Sequence, residues 1–194
     1  TYKAEAKGKD RQEVEFFGKI ILCSNNEDNF MVKTDYLTTS GSIYIKVAGT
    51  SVNGNASSYY DIDGWNHLAI TRNASNVVSC YVNGSRISTA TISGSLNSTT
   101  YNIGTVGGGA ASASGYELMY GYMSSVRISD TARYDPTSAS ITVPTSAFTS
   151  DSNTVLLLGQ GDTPLADASS NSYSVTVNGN PSASEVGPFD AADA

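Results

Sequence analysis

Apolar and polar residues alternate with a period of two through short runs punctuated by Gly, Asn and Asp, and this rhythm limits the chain to strands. It is clearest at residues 42–47 (SIYIKV), 66–71 (NHLAIT), 77–82 (VVSCYV) and 121–129 (GYMSSVRIS). Successive side chains of a strand point to opposite faces, so each run buries one face and shows the other to solvent. No segment carries the 3.6-residue apolar stripe of a core-facing helix. In 77–82, Val78, Cys80 and Val82 fall on one face while Ser79, Tyr81 and Asn83 fall on the other. Asn83-Gly84 then supplies a tight turn into a second hairpin strand over 86–92. The run TVLLL at 154–158 is apolar at each position, as a strand covered on both faces would be. The stretch VGGGAASAS at 106–114 has no large side chain to bury and is expected to be an exposed loop. Such a loop serves as a binding edge or as a mere spacer.

At 194 residues the chain suits one all-β sandwich. A domain of that size buries roughly 70% of its unfolded surface, so it needs no disulfide to fold. Cys23 and Cys80 each sit within an apolar run, and buried free thiols are preferred to a disulfide. The net charge of -7 and 11 scattered basic residues argue against a nucleic-acid partner, which would need clustered cations facing phosphate. Lys3, Lys7, Lys9 and Arg11 form the one basic cluster, read as a solvated tail. No apolar run approaches the ~20 residues of a bilayer-spanning helix, and no membrane insertion is expected. The triplets N-x-S/T at Asn55, Asn73, Asn83 and Asn97 are expected by chance in a chain so rich in Asn, Ser and Thr.

From Trp65 onward the order of these signals resembles the concanavalin A-like, or LamG-like, jelly roll. GWNHLAITR (64–72) is similar to the family's W-H-x-A-x-x-R strand, and VVSCYVNG (77–84) to its L-Y-V-D/N-G hairpin. NIGTVGGG (102–109), GYMSSVRISDTARY (121–134), TVLLLGQ (154–160) and Pro188-Phe189 follow in the family's order. The resemblance implies an all-β, two-sheet antiparallel β-sandwich, a single domain over residues 1–189. Residues 1–12 would be an arm or tail, and 190–194 a flexible C-terminal tail. It also implies structural roles for Trp65, His67, Arg127 and Tyr134. Residues 13–34 lie on the family's early strands with Val14, Phe16 and Ile20 facing inward, although their wording also resembles a segment of viral primase-helicases.

The ARY element with its following Pro-containing segment resembles repeats in structural proteins of tailed bacteriophages. That implies a virion location, as a capsid-decoration or tail/fibre module binding other virion proteins in a symmetric homo- or hetero-oligomer. The alternative is a secreted or surface adhesin, extracellular, with a polysaccharide ligand.

Enzymes of this superfamily hydrolyse glucans with two carboxylates on one strand, commonly E-x-D-x-x-E, set ~5 Å apart for a retaining mechanism. The nearest pairs, Glu13 with Glu15 and Asp61 with Asp63, lack the third acid, and no enzymatic activity is expected. His67 is the single histidine, so no Ser-His-Asp device can be built around a choice of bases. No cofactor is expected, apart from the possibility of Ca²⁺ held by hard oxygen ligands. Its candidates are Asp61 and Asp63 in YYDIDG, and Asn26, Glu27 and Asp28 in SNNEDN. Asp63-Gly64 reads more simply as a turn. Among 12 tyrosines, Tyr59, Tyr60, Tyr116 and Tyr120 flank a turn and the Gly-rich loop and are the candidate glycan contacts. Trp65 is read as core packing, or as a ring beside an Asp-rich loop that stacks on a sugar.

Overall fold

The strands expected from the alternation are present in a computed structural model of the chain. It describes residues 2–5, 13–18, 21–24, 30–34, 42–61, 63–96, 100–103, 105–106, 117–118, 121–159, 165–177, 182–184 and 187–189. In chain order the strands are β1 (Tyr2–Glu5), β2 (Glu13–Gly18), β3 (Ile21–Ser24), β4 (Phe30–Thr34), β5 (Ser42–Val47), β6 (Thr50–Ser51), β7 (Gly54–Asn55) and β8 (His67–Arg72). There follow β9 (Val77–Val82), β10 (Ser85–Thr91), β11 (Thr100–Ile103), β12 (Thr105–Val106), β13 (Glu117–Leu118), β14 (Met123–Ser129), β15 (Thr154–Leu158) and β16 (Val175–Val177). Among the described residues no helix is long and apolar enough to cross a membrane.

Two antiparallel sheets face each other. The larger runs β16-β1-β11-β3-β4-β5-β6, with β7 also on β5, and the smaller runs β10-β9-β8-β2-β14-β15. Tyr2–Glu5, within the stretch expected as an arm, thus forms a strand of the larger sheet between β11 and β16. Val32, Ile43, Ile45 and Val47 of the larger sheet meet Leu68, Ile70, Val78, Cys80, Val82, Val126, Ile128, Leu156 and Leu158 of the smaller. Each of the larger buried side chains contributes roughly 1.5–3 kcal/mol. Cys80 is a buried free thiol, and burial pushes its pKa up, leaving it a small hydrophobe.

The outer face of the smaller sheet is covered from β15 to β9, contrary to the expectation for the Ser79 and Tyr81 face, while Thr89 and Thr91 of β10 stay exposed. Ser79 and Tyr81 are both fully buried. The segment from Asp130 to Asn153 crosses them as a strap, and the sheet holds it largely through the strap's own backbone carbonyls. Ser79 Oγ donates to Pro136 O (2.6 Å), Tyr81 Oη to Ser138 O (2.8 Å) and Arg86 Nη1 to Thr137 O (2.9 Å). Arg133 closes the strap on itself, with its two Nη atoms 2.9 and 2.8 Å from the Asp151 carboxylate oxygens. That guanidinium holds the Asp151 carboxyl well below the usual carboxylate range.

β15 is buried on both faces, as its sequence predicts. Leu156 and Leu158 enter the inter-sheet core, while Leu157 packs outside it with Phe148, Trp65, Val143 and Phe189. The edge of β15 is covered by a side chain, since Asp167 Oδ1 accepts the Leu157 N–H at 3.0 Å. A covered edge cannot template pairing with another chain.

The Asn83–Gly84 turn joins β9 to β10 with both residues at positive φ, 46° and 82°, the backbone pairing that suits a two-residue hairpin. A Cβ on Gly84 would lie 2.7 Å from the Ile141 carbonyl oxygen of the strap. Gly84→Ala therefore combines left-handed strain with a backbone collision, and should lower the unfolding free energy by about 1–3 kcal/mol, read as a shift of the urea midpoint at unchanged m-value.

Candidate functional site

Glu15 lies mid-strand on β2, in register with Ala69 of β8 and Arg127 of β14. The neighbours Leu68 and Val126 enter the inter-sheet core, so by strand alternation the Glu15 row faces the strap. Glu15 is fully buried. Its Oε1 accepts from Arg127 Nε at 2.7 Å and also from Arg127 Nη2. Its Oε2 accepts from Tyr134 Oη at 2.9 Å and lies 3.4 Å from His67 Nε2. The Phe148 ring lies under the Arg127 guanidinium, 4.2 Å from Cζ to the ring centroid. The His67 and Tyr134 rings meet edge-on, with centroids 6.4 Å apart.

Three of the four residues expected to be structural, His67, Arg127 and Tyr134, thus converge on a carboxylate that the sequence reading had weighed only as half of a catalytic pair. Burial pushes the Glu15 carboxyl up. The His67 hydrogen bond, together with the charge and hydrogen bonds of Arg127, outweighs burial and holds it below its ordinary value. An ionised carboxylate enclosed this way has no approach for a sugar and no proton to give. A bulge assists the geometry. The register of β14 against β2 shifts between Ser124 and Arg127, with Ser125 at φ 51°, and Arg127 is thereby set opposite Glu15.

The second cluster lies at one end of the smaller sheet. β8 begins at His67, β9 ends at Val82 opposite Leu68, and β14 begins at Met123 opposite Gly18, so the segments preceding β8 and β14 and the Asn83–Gly84 turn share that end. Asn66 and Asn83 lock it. Asn66 Oδ1 accepts from the Asp61 N–H and from Asn83 Nδ2, both at 2.8 Å. Asn83 Nδ2 also donates to Tyr59 O (2.7 Å), and its Oδ1 accepts the His67 N–H (2.9 Å).

On this frame Tyr59 is 46% exposed. Tyr60 is half-buried against the core, and burial followed by the neighbouring Asp61 charge raises its pKa. Trp65, the fourth residue expected to be structural, packs against the Phe148–Leu157 cluster. Its ring meets Tyr122, with centroids 6.3 Å apart and planes at 52°. Tyr116 and Tyr120 lie outside the described residues, as do Asn26, Glu27 and Asp28.

Asp61 and Asp63 are exposed, and Asp61 Oδ1 accepts the Asp63 N–H at 3.0 Å, the Asx turn that Asp63-Gly64 suggested. Among the described residues no three or more His, Cys, Asp or Glu side chains converge. Ca²⁺ takes about six to eight oxygens. Asp61 and Asp63 supply two of the candidate side chains, and the other three, Asn26, Glu27 and Asp28, lie outside the described residues.

The sequence reading missed Asn66, Asn83 as a cross-linker, and the Trp65–Tyr122 pair. The Asn-Gly dipeptide signalled the turn, but nothing local signalled where its side chain would reach.

Glu15 contributes stability as an anion, so that contribution is present above its ordinary carboxylate pKa and is lost as pH falls through its lowered folded value. Glu15→Gln should cost about 3–5 kcal/mol at neutral pH by leaving Arg127 uncompensated. It should also flatten the acid limb of a stability–pH curve below pH ~4.5.

In comparisons with known proteins, the family model described as the concanavalin A-like lectin/glucanases superfamily matches residues 10–137. That span includes Glu15, Trp65, His67, Arg127 and Tyr134, whereas Phe148 and Asp151 fall beyond it. No curated protein sequence matches the chain. Among solved structures, the native heptameric SAP-like pentraxin from Limulus polyphemus is similar, at 15% identity over 69% of this chain and 71% of that one, with a TM-score of 0.49. With a two-sheet antiparallel sandwich and a family match over most of its length, the chain belongs to the concanavalin A-like lectin/glucanase superfamily.

Proposed function

We propose that the chain is a non-enzymatic carbohydrate-binding module that holds its ligand at the loop end of the smaller sheet. The contacts at that end are Tyr59 and Tyr60, and Tyr116 and Tyr120, which lie outside the described residues, are the further candidates from the sequence. The observation that carries this reading is the Tyr59 ring, about half exposed on a loop whose backbone is tied down by Asn66 and Asn83. A loop whose backbone is already held loses less conformational freedom on binding, and the Tyr59 hydroxyl serves the polar rim of a sugar. The absence of catalysis is supported by the state of Glu15, ionised and enclosed by Arg127, Tyr134 and His67.

A glycan array probed with and without Ca²⁺ tests the reading. Tyr59→Ala combined with Tyr60→Ala should weaken binding at least tenfold, and EDTA should leave it unchanged. Binding that disappears with EDTA would restore the calcium set of Asp61, Asp63, Asn26, Glu27 and Asp28. An array blank in both conditions would remove the carbohydrate reading.

A second reading, a virion structural module that binds other virion proteins, is favoured by the stretch GYMSSVRISDTARY and the segment after it. That stretch ends in Tyr134, which ties the strap to the sheet. Symmetric occupancy of a particle, seen by cryo-electron microscopy of the source material, is its test, and a chain found free of any particle counts against it.

A further inference from the structure

We propose that Trp65 and Tyr122 form an aromatic subsite for the C–H face of a neutral pyranose, with the exposed Asp63 and Asp61 carboxylates accepting hydrogen bonds from its hydroxyls. The inference rests on the carbohydrate reading and deepens it, placing the principal contact on a pair of rings not among the tyrosines named above.

Four observations carry it. Tyr122 is 60% exposed, more than any other large apolar or aromatic side chain among the described residues. A ring left that open keeps its face available to a ligand, and a Tyr supplies both an apolar face and a polar hydroxyl to such a contact. Its neighbour Trp65 is anchored, packing against Phe148 and Leu157 under the strap. With centroids 6.3 Å apart and planes at 52°, the rings are tilted against each other rather than stacked face to face. The axial C–H bonds of a pyranose carry partial positive charge, which the negative faces of such rings attract.

The polar side of the subsite lies immediately upstream in sequence. Asp63 and Asp61 precede Trp65 by two and four residues, both exposed, and Asn66 holds the Asp61 backbone in place. Hydrogen bonds from sugar hydroxyls to a carboxylate are charge-assisted, and so roughly twice as strong as those between neutral groups. They also repel uronates and sulfates, as does the chain's net charge of -7. The chemistry therefore selects neutral over acidic glycans.

The chain contains a single tryptophan, so its emission reports on this subsite without labelling. Full-length protein is titrated with cellohexaose, xylohexaose and a β-1,4-galactan oligosaccharide, and in parallel with polygalacturonate and heparin. At least one neutral oligosaccharide should shift or quench Trp65 emission saturably. Tyr122→Ala should weaken that binding tenfold or more, Tyr122→Phe should stay within about threefold of the parent, and Tyr44→Ala, on the larger sheet, should leave it unchanged. Tyr122 is a surface residue, so its variants should retain the parent's unfolding midpoint. A glycan that binds with Trp65 emission unmoved and with full affinity for Tyr122→Ala overturns the subsite while leaving the carbohydrate reading intact. Binding of the anionic polymers alone overturns the neutral class. Binding of no glycan overturns both.

Discussion

A buried carboxylate cannot stay ionised without donors around it, and the smaller sheet is organised to provide them for Glu15. An uncompensated charge in that position would cost several kcal/mol. Here β14 brings Arg127, β8 brings His67 and the strap brings Tyr134. One side chain thereby ties two neighbouring strands and a covering segment together, and none of the three can move off without exposing the others' cost. Phe148, lying against the guanidinium, adds apolar cover from the far part of the strap.

The consequence is a sheet whose strands from β15 to β9 are buried on both faces. A sandwich usually shows the outside of each sheet to water, and such a face is an obvious place for a ligand. In this chain the strap occupies that place, and the donors of the sheet are spent on its carbonyls. Besides the β10 edge, what remains available at the smaller sheet is its end, where connecting segments are held by side-chain amides. Asn66 and Asn83 satisfy backbone groups that would otherwise need water, so the loop that carries Tyr59 and leads into Trp65 is shaped before any ligand arrives.

How much of this was legible in the sequence follows from the range of each interaction. The strands at residues 42–47, 77–82 and 154–158 declare themselves because side-chain alternation is local. The hairpin turn declares itself because Asn-Gly tolerates positive φ at both positions. Trp65, His67, Arg127 and Tyr134 were marked as structural through their place in a family pattern, and the last three do meet. What they meet was not legible. Glu15 is separated from His67, Arg127 and Tyr134 by 52, 112 and 119 residues, and no local pattern encodes such a meeting. Tyr81 was assigned to the outer face, and it is there, but its burial depends on a strap that the alternation rule cannot see.

By itself, the sequence determined the all-β class, the run of strands, the hairpin turn and the acidic, cation-poor surface, because period, turn chemistry and charge are written residue by residue. Only the tertiary structure decided that Glu15 is a sealed anchor, that the outer face of the smaller sheet is covered from β15 to β9, and that Trp65 and Tyr122 stand together at its end. Those outcomes depend on which distant segments share a desolvated volume, and that is settled when the sheets pack and the strap crosses them.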